Sequence, residues 1–236
     1  MIIDKRESYV DAAAMRVEAR PLLRLVYMWM GFGLLVTTVV SLLIANTPSL
    51  QESLLNQGVF FGAIIAELVV VIALGAAINK LSPGVAALMF FGYAALNGFT
   101  LSIVFLIYTT GSIVSAFTTT MILFGVMSVV GFTTQVDLSK YRTYFMMGLI
   151  GLVIAMVVNW LLRSDGLSLI ISLFGVVLFT ALTAYDTQKI MRYAANPQID
   201  ATGNLALKFS IMGALTLYLD FINLFLFMLR ILSRDR

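Results

Sequence analysis

Three carboxylates stand in runs of residue types that otherwise belong in lipid. Glu67 lies mid-run in Ile64-Ile65-Ala66-Glu67-Leu68-Val69-Val70, and Asp220 lies mid-run in Leu217-Tyr218-Leu219-Asp220-Phe221-Ile222-Asn223. Asp186 closes a third run in Ala184-Tyr185-Asp186-Thr187-Gln188. The other nine of the twelve acidic residues fall in tails or connectors. A lone ionised carboxylate at the centre of a membrane helix costs about 2.5 to 3.5 kcal/mol even on the lenient insertion scale. Each of the three therefore needs a proton, a cationic or polar partner, or water. Position alone leaves two readings open for each. Asp186, beside Lys189 and Arg192, is either an interfacial residue or a functional acid. Asp220, with Asn223 one turn on along the same face, is either a structural hydrogen-bonding residue or a functional one. Glu67 is either a neutral packing residue or part of an ion path. Asn97 and Asn159, also within apolar runs, read as interhelical hydrogen-bond partners.

The chain contains no cysteine and no histidine. The first absence removes disulfides, thiol catalysis, iron–sulfur clusters and cysteine-based zinc sites. The second removes conventional haem and copper ligation, and leaves any response near neutral pH to carboxylates. No phosphate loop, dinucleotide fingerprint or metal triad is present. The sequence predicts no cofactor, no nucleic-acid binding and no enzymatic activity.

These acids must be positioned by membrane helices. Of the 236 residues, 61% are hydrophobic and 11% charged, where a soluble domain is about half apolar and a quarter charged. Seven apolar runs, 25–46, 58–78, 83–108, 113–132, 144–162, 167–185 and 205–231, are each long enough to cross the hydrocarbon. Turn-forming clusters separate them at Asn46-Thr47-Pro48-Ser49, Leu81-Ser82-Pro83-Gly84, Ser164-Asp165-Gly166 and Asn196-Pro197. The short connectors predict an all-α bundle of antiparallel neighbours forming a single domain over 25–236. Residues 1–24 read as a mixed-charge amphipathic tail; they lack the apolar core and cleavage site of a removable signal peptide. Pairs of small residues such as Gly31 with Gly33, and Gly148 with Gly151, supply surfaces for close helix packing.

Orientation follows from the cations. With the N-terminus inside and seven crossings, the cytoplasmic side carries Lys5, Arg6, Arg16, Arg20, Arg24, Lys80, Lys140, Arg142, Lys189, Arg192 and Lys208, and the outer side carries Arg163, Arg230, Arg234 and Arg236. The count of 11 against 4 predicts a cytoplasmic N-terminus. The three arginines in the last seven residues leave a re-entrant final segment as an alternative to a seventh crossing.

The two aspartate motifs, Ala184-Tyr185-Asp186-Thr187-Gln188-Lys189-Ile190 and Leu215-Thr216-Leu217-Tyr218-Leu219-Asp220-Phe221-Ile222-Asn223-Leu224-Phe225, resemble those of the Bax-inhibitor (TMBIM) family in its bacterial inner-membrane branch. The tail, span count and short connectors extend the resemblance over essentially the whole chain. It implies a seven-helix fold with the last helix central, and a pH-sensitive calcium leak. It also implies that Asp186 and Asp220 form a proton-sharing dyad that meets Ca²⁺ transiently, and that Glu67 is the acid of the second span. A basic residue near the cytoplasmic end of that span is expected to pair with the first aspartate, and the nearest here is Lys80; Lys189 and Arg192 are the other candidate counter-ions. Asn223 joins Glu67 as a candidate for the ion path. Elementary electrostatics agrees, because two carboxylates close together in low dielectric share a proton and titrate as a coupled pair. Once deprotonated, they offer oxygen ligands suited to a hard cation.

Two further readings compete. One is a non-transporting regulator that binds another membrane protein, such as a membrane-bound quality-control protease. The other is an intramembrane aspartyl protease, which needs two aspartates on adjacent helices. That chemistry is accompanied by Gly-x-Gly-Asp in the second motif, whereas this chain has Leu217-Tyr218-Leu219-Asp220.

Overall fold

The computed structural model describes residues 5–194 and 203–233, with side chains from residue 20 onward. The described residues are helical throughout, apart from short connectors. The helices are α1 (Lys5–Ala45), α2 (Pro48–Leu55), α3 (Gln57–Ala77), α4 (Pro83–Ile107), α5 (Thr110–Thr133), α6 (Arg142–Leu162), α7 (Asp165–Ala194) and α8 (Asn204–Leu232), with a 3₁₀ turn over Leu138–Tyr141 before α6. Seven of them, all but the short α2, are long and apolar enough to cross a membrane. This is the seven-span architecture the apolar runs predict.

Local chemistry sets the boundaries. Ser82 caps α4 through its hydroxyl, which accepts from Val85 N, and Pro83 follows at the first helical position, where a missing N–H costs nothing. Asn56 caps α3 by accepting from Gly58 N and Val59 N. Arg163 ends α6 in the left-handed region at φ 51°. Three expectations are refined. The cluster at Asn46 to Ser49 is not a bare turn, because Pro48 starts α2. The tail and first span form one helix, α1, which passes through Pro21 without ending. Asp186 does not close its span, since α7 continues for two more turns to Ala194. The turn cluster at Asn196-Pro197, the side chains of Lys5, Arg6 and Arg16, and Arg234 and Arg236 lie outside the described residues.

The chain divides into two compact units. The first comprises residues 1–109 and 191–218, the second 110–190 and 219–236. In the first, α1 packs on α4 and α3 packs on α4. Gly98 makes the α1–α4 approach possible, because a Cβ there would stand 2.7 Å from Thr37 O and 2.9 Å from Val40 Cβ. In the second, α5 passes α7 at Gly131, where a Cβ would stand 2.9 Å from Ala184 Cα. Backbones this close are the packing mode expected where lipid supplies no hydrophobic drive between helices.

Burial is uneven among the spans. Two-thirds of the apolar window of α8 is buried (67%), against 6% for α3 and for α6. The last helix is thus the most protein-covered of the seven, and α3 and α6 present most of their surface outward. At about 1.5 Å per residue, α8 is about 43 Å long, more than the roughly 30 Å of hydrocarbon, and it runs unbroken with no re-entrant turn.

Candidate functional site

Within the second unit, α7 supplies the first acid. From Leu182 to Met191 every side chain except Lys189 is buried, and Asp186 keeps only 7% of its surface exposed. Lys189, one turn on, places Nζ 3.6 Å from Asp186 Oδ1. The same ammonium lies 6.0 Å from the Tyr185 ring centroid, and that ring packs on Phe145 of α6 at 5.1 Å. The carboxylate is therefore enclosed by protein, with a half-exposed cation at its outer edge.

Gln188 fastens this turn to the connector after α5. Leu138 N donates to Gln188 Oε1 at 2.8 Å, and Gln188 Nε2 donates to Val136 O at 2.8 Å. A buried amide that satisfies two loop backbone groups removes the cost of leaving them unpaired.

Asp220 comes from α8 and is 5% exposed. The next residue, Phe221, packs its ring between Phe117 and Phe124 of α5, with centroids 5.6 and 5.4 Å away. This fixes the α8 register that turns Asp220 inward. Asp220 Oδ2 is buried and has no hydrogen-bond partner among the described residues. Asp186 and Lys189 lie near enough for their charges to bear on Asp220. An unpartnered buried carboxylate oxygen is costly unless it holds a proton or meets a ligand. Ser128 Oγ and Thr120 Oγ1, on the buried stripe of α5, likewise lack partners among the described residues.

Glu67 belongs to a separate network in the first unit. Thr100 Oγ1 donates to its Oε1 at 2.7 Å, and Asn97 Nδ2 donates to its Oε2 at 3.4 Å. Asn97 Oδ1 accepts from the Tyr218 hydroxyl at 3.0 Å, and that hydroxyl lies 2.7 Å from Thr37 Oγ1. Thr37 Oγ1 in turn faces Ala94 O at 2.9 Å and Gly33 O at 3.0 Å. The chain of contacts ties α3, α4, α8 and α1 together. Asn97 is the interhelical partner its position predicts. Asn159 Oδ1, by contrast, is buried without a partner among the described residues.

The remaining candidates are placed as follows. Asn223 donates to Leu219 O of its own helix at 2.8 Å. Lys80 is exposed in the α3–α4 connector and Arg192 is exposed near the end of α7. Lys189 is the candidate counter-ion that forms an ion pair with Asp186. Tyr218, Thr37, Thr100 and Gln188 escape a reading of the sequence, because a lone hydroxyl or amide in an apolar run carries no spacing signal. Among the described residues no three acidic side chains gather where they could hold a metal ion. Two carboxylates fall well short of the six to eight oxygens of a tight calcium site.

Comparison with known proteins decides the family. The sequence profile described as "Inhibitor of apoptosis-promoting Bax1" matches residues 19–236. The chain belongs to the Bax-inhibitor family. The inner membrane protein YbhL of Escherichia coli K12 is 48% identical over 212 residues, covering 89% of this chain and 90% of YbhL. An uncharacterized protein of Borreliella burgdorferi is 42% identical over 208 residues, covering 88% and 89% of the two chains. One from Deinococcus radiodurans is 41% identical over 219 residues, covering 92% and 93%. The matched region includes both aspartate motifs, so the Bax-inhibitor assignment and the buried Asp186 and Asp220 concern the same part of the chain.

Proposed function

We propose that this protein is a pH-sensitive calcium leak of a bacterial inner membrane, gated by Asp186 and Asp220. The observation that carries the reading is the two buried aspartates in a histidine-free chain, with Asp220 Oδ2 lacking a hydrogen-bond partner among the described residues. When the pair shares a proton, its net charge is low enough to stay dehydrated. When the proton leaves, two like charges in low dielectric repel, and the surrounding helices must admit water or a cation to screen them. A divalent cation arriving there meets oxygen ligands too few to trap it, as passage requires. Lys189 supplies the counter-charge at the outer edge of Asp186, and Asn223 is a further polar group available to a path there. Calcium acts as the permeant substrate and not as a resident cofactor.

The location follows from the name of the E. coli relative, and the N-terminus faces the cytoplasm by the cation asymmetry. The test is calcium entry into liposomes containing only the purified protein, measured across pH. Flux that depends on pH supports the leak. Its absence at every pH overturns it in favour of the regulator that acts by binding another membrane protein.

A further inference from the structure

The hydrogens of the Glu67 network can be counted. Thr37 and Tyr218 carry one hydroxyl hydrogen each, whereas Asn97 carries two on Nδ2 and none on Oδ1. In the arrangement observed, Nδ2 faces Glu67 and Oδ1 faces Tyr218. The Tyr218 hydrogen is therefore committed to Asn97. The 2.7 Å contact between Tyr218 and Thr37 must then use the Thr37 hydrogen, which withdraws it from Ala94 O and Gly33 O. This is the polarity an ionised Glu67 imposes, because a carboxylate only accepts.

A protonated Glu67 permits the opposite polarity. Its O–H donates to the amide oxygen of an Asn97 turned through half a rotation. Nδ2 then donates to the Tyr218 oxygen, the Tyr218 hydrogen passes to Thr37 Oγ1, and the Thr37 hydrogen goes to a backbone carbonyl of α1 or α4. Each link of the chain again has one donor and one acceptor. The two arrangements differ by one proton on Glu67 and by the direction of each later bond. Asn97, Tyr218 and Thr37 are all buried, at 8%, 0% and 4% exposure, so water cannot readily substitute for a missing partner.

We propose that Glu67 is a second proton-binding site, separate from the aspartate pair, whose protonation reverses the hydrogen-bond direction through Asn97, Tyr218 and Thr37. Among the described residues, the titratable groups near enough to feel its charge are Tyr93 on α4 and Tyr218 on α8. Thr100 continues to donate to Oε1 in both states. The ligand is a proton, and what it changes is how α1, α3, α4 and α8 are held to one another within the first unit.

Infrared difference spectroscopy across pH tests this on the full chain in lipid, with Asp186→Asn and Asp220→Asn both present so that the aspartate pair is silent. The outcome is thereby independent of any calcium conduction. Beside the absorption of the nine tail and connector acids, a carboxylic acid C=O band should appear as pH falls, and Glu67→Gln added to that background should remove that one component. A tyrosine C–O band should shift with the same midpoint, disappear from the difference spectrum in Tyr218→Phe, and persist in Tyr93→Phe. Should Tyr218→Phe fail to fold, Glu67→Gln must still abolish the tyrosine shift. The proposal is overturned if Glu67→Gln removes no carboxylic band, or if no tyrosine band follows the midpoint of that band.

Discussion

Lys189 Nζ stands 3.6 Å from Asp186 Oδ1, a half-exposed cation against a carboxylate that keeps 7% of its surface open. Removing the cation leaves Asp186 buried without its counter-charge, a cost that a proton on the carboxyl relieves. Lys189→Met should therefore lower the melting temperature more at high pH than at low pH. It should also displace the pH profile of calcium flux in liposomes, because the counter-charge beside Asp186 is gone. Lys189→Arg, which keeps the charge, should retain the wild-type profile.

The aspartates should separate under substitution. Asp220→Asn keeps the shape and removes one titrating group, so the pH dependence of flux should flatten. Asp186→Asn should flatten it too, and should also release Lys189, raising the basal leak as the population shifts towards the open state. Stopped-flow calcium entry measured at several pH values reads both effects. Retention of the wild-type steepness by both variants would remove the dyad from the mechanism, since no histidine exists to replace it.

Tyr218→Phe should destabilise the protein by about 1 to 3 kcal/mol, the cost of leaving buried polar partners unsatisfied. The ring itself is conserved in that variant, so its edge contacts with Phe90 and Tyr93 remain. Thermal unfolding in detergent, followed by size-exclusion chromatography, measures the loss. A smaller loss for Thr100→Val is expected, because Glu67 Oε1 is only part-buried.

How much of this could be read beforehand depended on the kind of signal. The spans were legible because about 20 consecutive apolar residues are a one-dimensional property. Asp186, Asp220 and Glu67 were legible because charge in an apolar run is locally anomalous. Tyr218 was not, although it is fully buried and joins partners from α1 and α4, because a lone tyrosine in an apolar run carries no spacing signal and its bonds to Asn97 and Thr37 span 121 and 181 residues of sequence. The end of α7 was misplaced for a related reason. Polar residues from Asp186 onward look like the start of a loop, yet Thr187 and Gln188 are buried and helical.

Gly131→Ala should be poorly tolerated. A Cβ at this position meets the carbonyl oxygen and Cα of Ala184, which are backbone atoms and cannot rotate aside. Overpacking of this kind costs about 1 to 3 kcal/mol. Gly62→Ala, where a Cβ meets nothing within 4 Å, is the matched control and should be neutral. The ratio of folded to aggregated protein after mild heating distinguishes them.

Topology can be checked without background, because the native chain has no cysteine. Leu138→Cys in intact cells should react with permeant thiol reagents and resist impermeant ones, as the cytoplasmic assignment of that connector requires. Labelling from outside would invert the orientation.

That same connector gains a mechanical meaning from the two bonds it makes to Gln188. The backbone at Val136 and Leu138 is clamped to a side chain only two residues beyond Asp186. The stretch is not slack rope between helices but a handle fixed to the turn that carries the carboxylate. Anything in the aqueous phase that grips it, whether a soluble protein, an antibody fragment or a crosslinker, pulls directly on α7 at the acid. Force applied at the membrane surface is thus delivered to the one turn of helix that carries Asp186.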